Sequence, residues 1–415
     1  MIRRVAIVFF VAILSACVND SQPFKEFELL RTESDAQNLY QLVSSEDFSG
    51  RTWEQVEQQV MNWAQRKIGS FEGKASTTQK IITIHYRAYI NHSESRGGIV
   101  ISSGRTEGLV LYQELIFDLV RNGYSVYILD HRGQGFSSRL LDDDSSKGYV
   151  DYFENYVTDL MRFVTIIKRE RQYSDKPLFL IAHSMGGAIA SLYLEDPRGA
   201  KDFVAASFVT PMHEPWAAGG SDDSMHRAAQ KFCDDFALNL RIQLPWISAE
   251  YLPGEAPFEK QYEAFQRLLK QEALADDVIT NSIPRLERNW ETRRLAKCDE
   301  HCGNPDAKVG GPTLRWLNQA CAASRKSRGE EARRIAIPIL LLQGQKDVVV
   351  NPIAQREFCD HVNVDNSNGG SCFGYVLNGA KHAVFIEEDS IRKPALSKIL
   401  SFFDCVRNGQ IRNCK

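Results

Sequence analysis

The sequence has 415 residues, of which 43% are hydrophobic and 25% are charged. A chain of this length and composition can bury a large core, so we expect one large domain with an insertion, or two modules. The formal net charge of -3 gives no reason to expect a nucleic-acid partner.

Residues 1–16 are predicted to be a targeting signal and not part of the fold. Arg3 and Arg4 form a positively charged start, and the apolar run over residues 5–14 is too short to span a bilayer as a helix. We therefore expect this segment to direct export.

The end of this signal, Leu14-Ser-Ala-Cys17, resembles the lipobox of bacterial lipoproteins. The resemblance implies that Cys17 is lipidated, becomes the new N-terminus and anchors the protein to a membrane. Val18 comes next, and the absence of Asp there resembles lipoproteins sorted to the outer membrane of Gram-negative bacteria. An ordinary secretory peptide, cut after a small residue, is the alternative.

The cysteine content supports export. Of nine cysteines, Cys17 is set aside and eight remain, an even number that suits an oxidising compartment. Cys298 and Cys302 also suggest zinc, but their spacing and the lack of a second matching cluster favour a disulfide. We prefer the pairs Cys359–Cys372 and Cys405–Cys414. The other disulfide candidates are Cys233, Cys298, Cys302 and Cys321.

Residues 17–78 form a polar N-terminal segment with a helical pattern. Within it, residues 53–63 predict a helix packed on the core and not a binding surface. From residue 79 to residue 211 strand and helix patterns alternate, which predicts an α/β fold with a mostly parallel central sheet flanked by helices. We take residues 79–211 as the first part of the core.

Two early strands of this core lead into glycine-containing loops. The strand over residues 98–103 is followed by Gly104-Arg105-Thr106. The strand over residues 124–129 is followed by Asp130-His-Arg-Gly-Gln-Gly-Phe-Ser137, whose spacing does not match a phosphate-binding Walker loop. We predict a structural role for this second loop.

The stretch around Ser184 predicts a nucleophile elbow. Residues 178–181 read as a buried strand and residues 186–194 as a helix, with Ser184 at the turn between them. The elbow needs small residues two before and two after the nucleophile, and these are Ala182 and Gly186. We interpret His183 as a packing residue because its side chain should point away from that of Ser184.

From residue 212 to residue 333 the alternation stops, and the segment reads mainly as helices and loops. It is rich in aromatic residues, which suit an acyl chain better than a charged substrate, although some must form its own core. These residues are Trp216, Trp246, Tyr251, Phe258, Trp290 and Trp316. Residues 334–415 resume the sheet pattern and form the second part of the core.

The second part of the core supplies an acid and a base. Asp347 follows a buried strand over residues 337–344, and His382 follows a strand over residues 374–377. Open α/β sheets place their sites at the carboxyl ends of their strands. Together with Ser184 these residues form the order serine, acid, histidine, which favours a catalytic set, whereas each residue taken alone also fits a structural role.

This set predicts nucleophilic catalysis without a metal or cofactor. Ser184 needs an imidazole to take its proton, His382 provides it, and Asp347 fixes the tautomer of the imidazole. The oxyanion formed by attack on a carbonyl needs two backbone N–H donors. We expect one from Met185, at the start of the elbow helix, and one from Arg105, in the loop after residues 98–103.

Five segments carry a resemblance to bacterial lysophospholipases and their monoacylglycerol-lipase-like relatives in the α/β-hydrolase superfamily. They are residues 103–105, 130–137, 182–187, 310–316 and 379–387, within a likeness that runs from about Phe71 to Phe403. The resemblance implies the same triad and oxyanion positions, and it implies that residues 212–333 form a cap over the site. At the first oxyanion loop, many relatives have His-Gly where this chain has Ser103-Gly104.

We therefore expect an exported, lipid-anchored serine hydrolase that cleaves carboxylic esters of lysophospholipids or monoacylglycerols. One alternative is an esterase, amidase or peptidase of other specificity. Another is a non-catalytic envelope lipoprotein that keeps a hydrolase scaffold.

Overall fold

The computed structural model describes residues 24–30, 39–172, 174–215, 233, 249–270, 278–364 and 369–410. Its centre is a nine-stranded sheet in the order β1-β9-β8-β7-β6-β4-β5-β3-β2. The strands are β1 (Glu28–Leu29), β2 (Ala64–Glu72), β3 (Thr83–Asn91), β4 (Gly97–Ser102), β5 (Tyr124–Leu129), β6 (Leu178–His183), β7 (Ala205–Val209), β8 (Pro338–Gly344) and β9 (Ser371–Leu377). All neighbouring pairs are parallel except β2 with β3 and β3 with β5. The predicted α/β-hydrolase sheet is therefore confirmed.

Helices cover both faces of this sheet. They are α1 (Trp53–Val60), α2 (Gln113–Arg121), α3 (Glu154–Glu170), α4 (Met185–Glu195), α5 (Phe258–Lys270), α6 (Ile283–Leu295), α7 (Leu314–Ser327), α8 (Pro352–Val364) and α9 (Asp389–Arg407). Helix α1 begins with a capping box, in which Thr52 accepts a hydrogen bond from the Gln55 N–H and the Gln55 side chain accepts one from the Thr52 N–H.

The core has two halves because successive side chains of a strand point to opposite faces. On β4, Val100 packs into the half that contains Phe163 of α3. Its neighbours Ile99 and Ile101 pack into the half that contains Ile399 of α9. All of these side chains are fully buried. Strands buried on both faces explain the continuous apolar runs in the sequence.

The N-terminal segment differs from its prediction as a helical unit over residues 17–78. Within residues 24–30 and 39–78, which the structure describes, α1 is the only α-helix, whereas β2 pairs with the full length of β3 and belongs to the sheet. Strand β2 is an edge strand with many polar side chains, so its sequence lacks the apolar signal of the inner strands. Residues 1–16 and Cys17 lie outside the described residues.

The described part of the 212–333 segment contains helices α5, α6 and α7 and isolated bridges but no strand. Its helical character therefore agrees with the prediction over these residues. Trp216 and Trp246 lie outside the described residues. Among the helices that the structure describes, none has the length and apolar character that crossing a membrane requires.

Candidate active site

The turn at Ser184 has the geometry of a nucleophile elbow. Strand β6 ends at His183, helix α4 begins at Met185, and Ser184 between them has a φ of 51°. A non-glycine residue in this region is strained, and such strain concentrates at functional sites. A Cβ on Gly186 would lie 2.0 Å from the Ser102 carbonyl oxygen, and Ala182 is fully buried. The small residues are therefore required by the approach of helix and sheet.

The structure brings the three predicted triad residues together. The Nε2 atom of His382 lies 2.8 Å from the Ser184 Oγ, and its Nδ1 lies 2.8 Å from an Asp347 carboxylate oxygen. The other Asp347 oxygen accepts hydrogen bonds from the N–H groups of Val349 and Val350. When Nδ1 donates to Asp347, Nε2 is left as the acceptor that faces the serine hydroxyl. This arrangement can remove the serine proton during attack on a carbonyl.

The backbone carbonyl of His382 is held by two side chains. The Nε2 of His183 lies 3.1 Å from this oxygen, and the Thr210 hydroxyl donates to it over 2.8 Å. His183 is thus more than the packing residue that its position suggested. Neither contact can be predicted from the sequence. Thr210 is 172 residues away from His382 and has no motif around it, and His183 is 199 residues away.

Glu107 connects His183 to the loop after β4. Its carboxylate contacts the Nδ1 of His183 and accepts hydrogen bonds from the Tyr112 hydroxyl and the Gly104 N–H. Burial raises the pKa of Glu107, but His183 and the other donors outweigh it and hold the pKa below its ordinary value. Sequence reasoning missed Glu107. The only signal was an acidic residue close after the predicted oxyanion loop.

Met185 and Arg105 occupy the places expected of oxyanion donors. Met185 is the first residue of α4, and Arg105 lies in the loop after β4 and lines the same cavity as Ser184. Within the described residues, neither backbone N–H donates a hydrogen bond to the protein. The loop is fixed by Gln134, whose side-chain amide donates to the Gly104 carbonyl over 2.7 Å. Both assignments stay predictions.

The loop after β5 has the structural role that was predicted. The two oxygens of Asp130 accept hydrogen bonds from the N–H groups of Leu109 and Phe136, each over 2.7 Å. A Cβ on Gly135, which has a φ of 54°, would lie 2.1 Å from the Asp130 carboxyl carbon. The loop therefore ties the β5 end to the segment before α2.

A cavity of about 320 Å³ opens beside Ser184 and His382. Its walls come from the core, from the 212–333 segment and from Trp53 and Val56 of α1. The volume is in the lower part of the range for small-molecule sites. Apolar side chains predominate in the lining, including Val110, Leu115, Met212, Leu317, Val349 and Phe385. Such a site suits an apolar substrate group.

The cysteines that the structure describes form disulfides. The bonds are Cys233–Cys321, Cys298–Cys302 and Cys359–Cys372. The pair Cys359–Cys372 was predicted, and so was a disulfide in place of zinc at Cys298 and Cys302. Cys405 is also disulfide-bonded, and its predicted partner Cys414 lies outside the described residues. Across the described ranges, no cluster of His, Cys, Asp and Glu side chains could hold a metal ion.

The sheet, the elbow and the Ser184–His382–Asp347 contacts define a hydrolase of the α/β class. Residues 93–389 match the Hydrolase_4 family model, described as "Serine aminopeptidase, S33". The chain belongs to this family.

Two curated bacterial relatives match most of the chain. "Lysophospholipase L2" of Escherichia coli is 30% identical over 353 residues, which are 82% of this chain and 88% of the relative. "Probable lysophospholipase L2" of Haemophilus influenzae is 26% identical over 330 residues, which are 78% of this chain and 89% of the relative. The family resemblance inferred from the motifs is confirmed.

A solved structure supports the fold. A soluble variant of monoglyceride lipase from Saccharomyces cerevisiae, in complex with a substrate analog, superposes with a TM-score of 0.58 at 18% identity. The match covers 83% of this chain and 96% of the yeast chain. At this identity the comparison speaks for the fold alone.

Proposed function

We propose that this protein is a serine hydrolase that cleaves carboxylic esters of single-chain lipids, with lysophospholipids or monoacylglycerols as substrates. The observation that carries the proposal is the hydrogen-bonded chain from Ser184 through His382 to Asp347 beside a mainly apolar cavity. The names of the bacterial relatives support the lipid ester, and the cavity volume supports one acyl chain.

The reaction proceeds through an acyl-enzyme. Ser184 Oγ attacks the ester carbonyl while His382 Nε2 accepts its proton, and Asp347 stabilises the imidazolium. The N–H groups of Met185 and Arg105 stabilise the oxyanion. The intermediate collapses when His382 gives the proton to the leaving alcohol. Water, deprotonated by the same imidazole, then attacks the acyl-enzyme and releases the fatty acid.

The substrate class is tested with a lipid panel that shares one acyl length. The purified full-length protein in detergent should hydrolyse a monoacylglycerol and a lysophospholipid faster than the matching diacyl lipids, because a cavity of about 320 Å³ has little room for a second chain. Equal or faster rates on diacyl lipids contradict the single-chain proposal. Turnover of peptide amides alone would favour the peptidase that the family description names.

The binding-only alternative is tested separately. A fluorophosphonate probe should label the wild-type protein at Ser184 and should not label a Ser184→Ala variant, since labelling needs an activated serine. Absence of labelling in the folded wild-type protein would favour a non-catalytic scaffold.

We further propose that the protein is an exported lipoprotein anchored through Cys17, in the outer membrane of a Gram-negative host. Support comes from the lipobox-like sequence and from disulfide use, which suits an oxidising compartment. Intact mass measured on the membrane-purified protein should show a lipidated N-terminus at Cys17. An unmodified N-terminus that keeps Met1 contradicts the anchor.

A further inference from the structure

Two arginines in the wall of the catalytic cavity differ from most buried arginines of the molecule. Arg132 pairs with Asp159, and Arg285 pairs with Glu114. In contrast, Arg105 and Arg293 have no carboxylate within ion-pair distance among the residues that the structure describes. Both nevertheless line the cavity that contains Ser184.

Neighbouring carbonyl groups hold the two guanidinium groups. Arg105 Nη1 donates to the Gly310 carbonyl over 3.2 Å, and Arg293 Nη2 donates to the Val309 carbonyl over 2.9 Å. Because residues 309 and 310 are consecutive, these contacts bring both cations to the same part of the wall. Each guanidinium has five N–H donors, and one hydrogen bond is seen for each group among the described residues.

Aromatic rings orient the same two groups without neutralising them. The guanidinium carbon of Arg105 lies 5.3 Å from the Trp316 ring centre, and that of Arg293 lies 4.3 Å from the Trp290 ring centre. Contacts of this kind fix the plane of a guanidinium and leave its edge free for hydrogen bonds. The aromatic residues of the 212–333 segment thus help to position charge beside the site.

The electrostatic environment favours an added anion. Arg293 is 7% exposed, and its Nε is buried without a hydrogen-bond acceptor in the described part of the chain. Burial, and then the charge of Arg105, lower the pKa of Arg293. Two carboxylates have the opposite effect: Glu107 acts to raise the pKa of Arg293, and Glu255 acts to raise the pKa of Arg105. Glu107 is already engaged by His183, Tyr112 and Gly104.

A further arginine, Arg139, is buried and has no carboxylate within ion-pair distance in the described part of the chain, and it shows what a structural arginine looks like here. Arg139 donates to four backbone carbonyls, those of Ser137, Ser145, Asp306 and Lys308. Its donors are therefore used within the protein. Arg105 and Arg293 each make one such contact.

We propose that Arg105 and Arg293 bind the head-group phosphate of a lysophospholipid while its ester lies at Ser184. The inference rests on the proposed function and deepens it. Guanidinium groups bind phosphate oxygens through paired N–H donors. In a lysophospholipid only the glycerol unit separates the ester from the phosphate, and the Arg105 side chain starts from the residue whose N–H is expected to face the oxyanion. A monoacylglycerol has no group for this subsite.

The test compares two substrates with one acyl chain, monopalmitoyl lysophosphatidylglycerol and monopalmitoylglycerol. In Arg293→Gln, the ratio of kcat/KM for the phospholipid to kcat/KM for the monoacylglycerol should fall by about tenfold or more, and Arg293→Lys should restore part of it. The matched control is Arg294→Gln, since Arg294 is the next residue, is more exposed and pairs with Glu291. The ratio of the two kcat/KM values in Arg294→Gln should equal that of the wild type.

A ratio in Arg293→Gln equal to that in Arg294→Gln would overturn the inference and leave the proposed function intact. A wild-type protein inactive on both lipids would instead contradict the proposed function. A second measurement needs no variant. Glycerophosphate should inhibit wild-type hydrolysis of monopalmitoylglycerol competitively and more strongly than glycerol or inorganic phosphate. Equal inhibition by glycerol, or stronger inhibition by inorganic phosphate, contradicts a head-group subsite.

Discussion

The Nε2 atom of His183 lies 3.1 Å from the backbone carbonyl oxygen of His382, so the residue before the proposed nucleophile holds the proposed base. A carbonyl only accepts, which makes Nε2 of His183 the donor. The Nδ1 atom of His183 faces Glu107. One imidazole therefore links the loop after β4, the elbow and the loop after β9.

This link predicts a pH-dependent contribution to stability. Burial lowers the pKa of His183, but the Glu107 carboxylate and the two hydrogen bonds outweigh it and raise the pKa above its ordinary value. A raised histidine pKa stabilises the fold fully below the unfolded pKa of about 6.5, and the gain is lost as pH rises through the folded pKa. The difference in unfolding free energy between wild type and His183→Gln should therefore be larger near pH 6 than near pH 9.

Urea unfolding at both pH values measures this difference. His183→Gln should also lower kcat more than it raises KM, because a flexible amide replaces the rigid ring that holds the His382 backbone together with Thr210. A stability difference independent of pH would contradict a charged His183–Glu107 pair.

The elbow predicts a steric penalty at Gly186. In Gly186→Ala the new methyl would meet the Ser102 carbonyl at 2.0 Å, so helix α4 must move away from the sheet. We expect a loss of about 2–4 kcal/mol in unfolding free energy, together with lower turnover. Gly329→Ala is the control, because its nearest neighbours lie at 3.3 Å or more and its φ of −76° suits any residue. Similar unfolding midpoints for both variants would contradict the close approach.

Loss of different disulfides should lower the free energy of unfolding by different amounts. Cys233–Cys321 closes a loop with a sequence separation of 88, whereas Cys298–Cys302 has a separation of 4. If the loops act through the entropy of the unfolded chain, losing the long loop costs about 4–5 kcal/mol and losing the short one about 2 kcal/mol. Chemical unfolding of the Cys233→Ser/Cys321→Ser and Cys298→Ser/Cys302→Ser double variants tests this order. The reverse order would contradict it.

The inner strands and the triad could be predicted from the sequence because their signals are local. Strand β5 covers residues 124–129, as its apolar run predicted, since both of its faces are buried. Ser184 and Asp347 each follow such a run, and His382 follows the less buried strand β9; parallel strands bring their carboxyl ends to one edge. These local patterns, taken together, were enough to predict the three residues of the site.

The remaining features depend on contacts that no local pattern encodes. Strand β2 has exposed polar side chains because it lies at the sheet edge, so only its partner β3 identifies it. Thr210 and His183 meet the His382 carbonyl across 172 and 199 residues of sequence. Among the described residues Arg105 and Arg293 lack a carboxylate partner and make few other contacts, and this can be recognised only when their neighbours are known.

The most direct test of the central claim is the steady-state hydrolysis of monopalmitoylglycerol by wild type and Ser184→Ala at matched concentration. The variant lacks the nucleophile but keeps the surrounding contacts, so it should fold with an unchanged circular dichroism spectrum. Its kcat should fall by about 10⁴-fold or more. In the wild type, a stopped reaction should yield a Ser184 peptide heavier by one palmitoyl group. A folded Ser184→Ala variant with near-normal turnover would contradict the account.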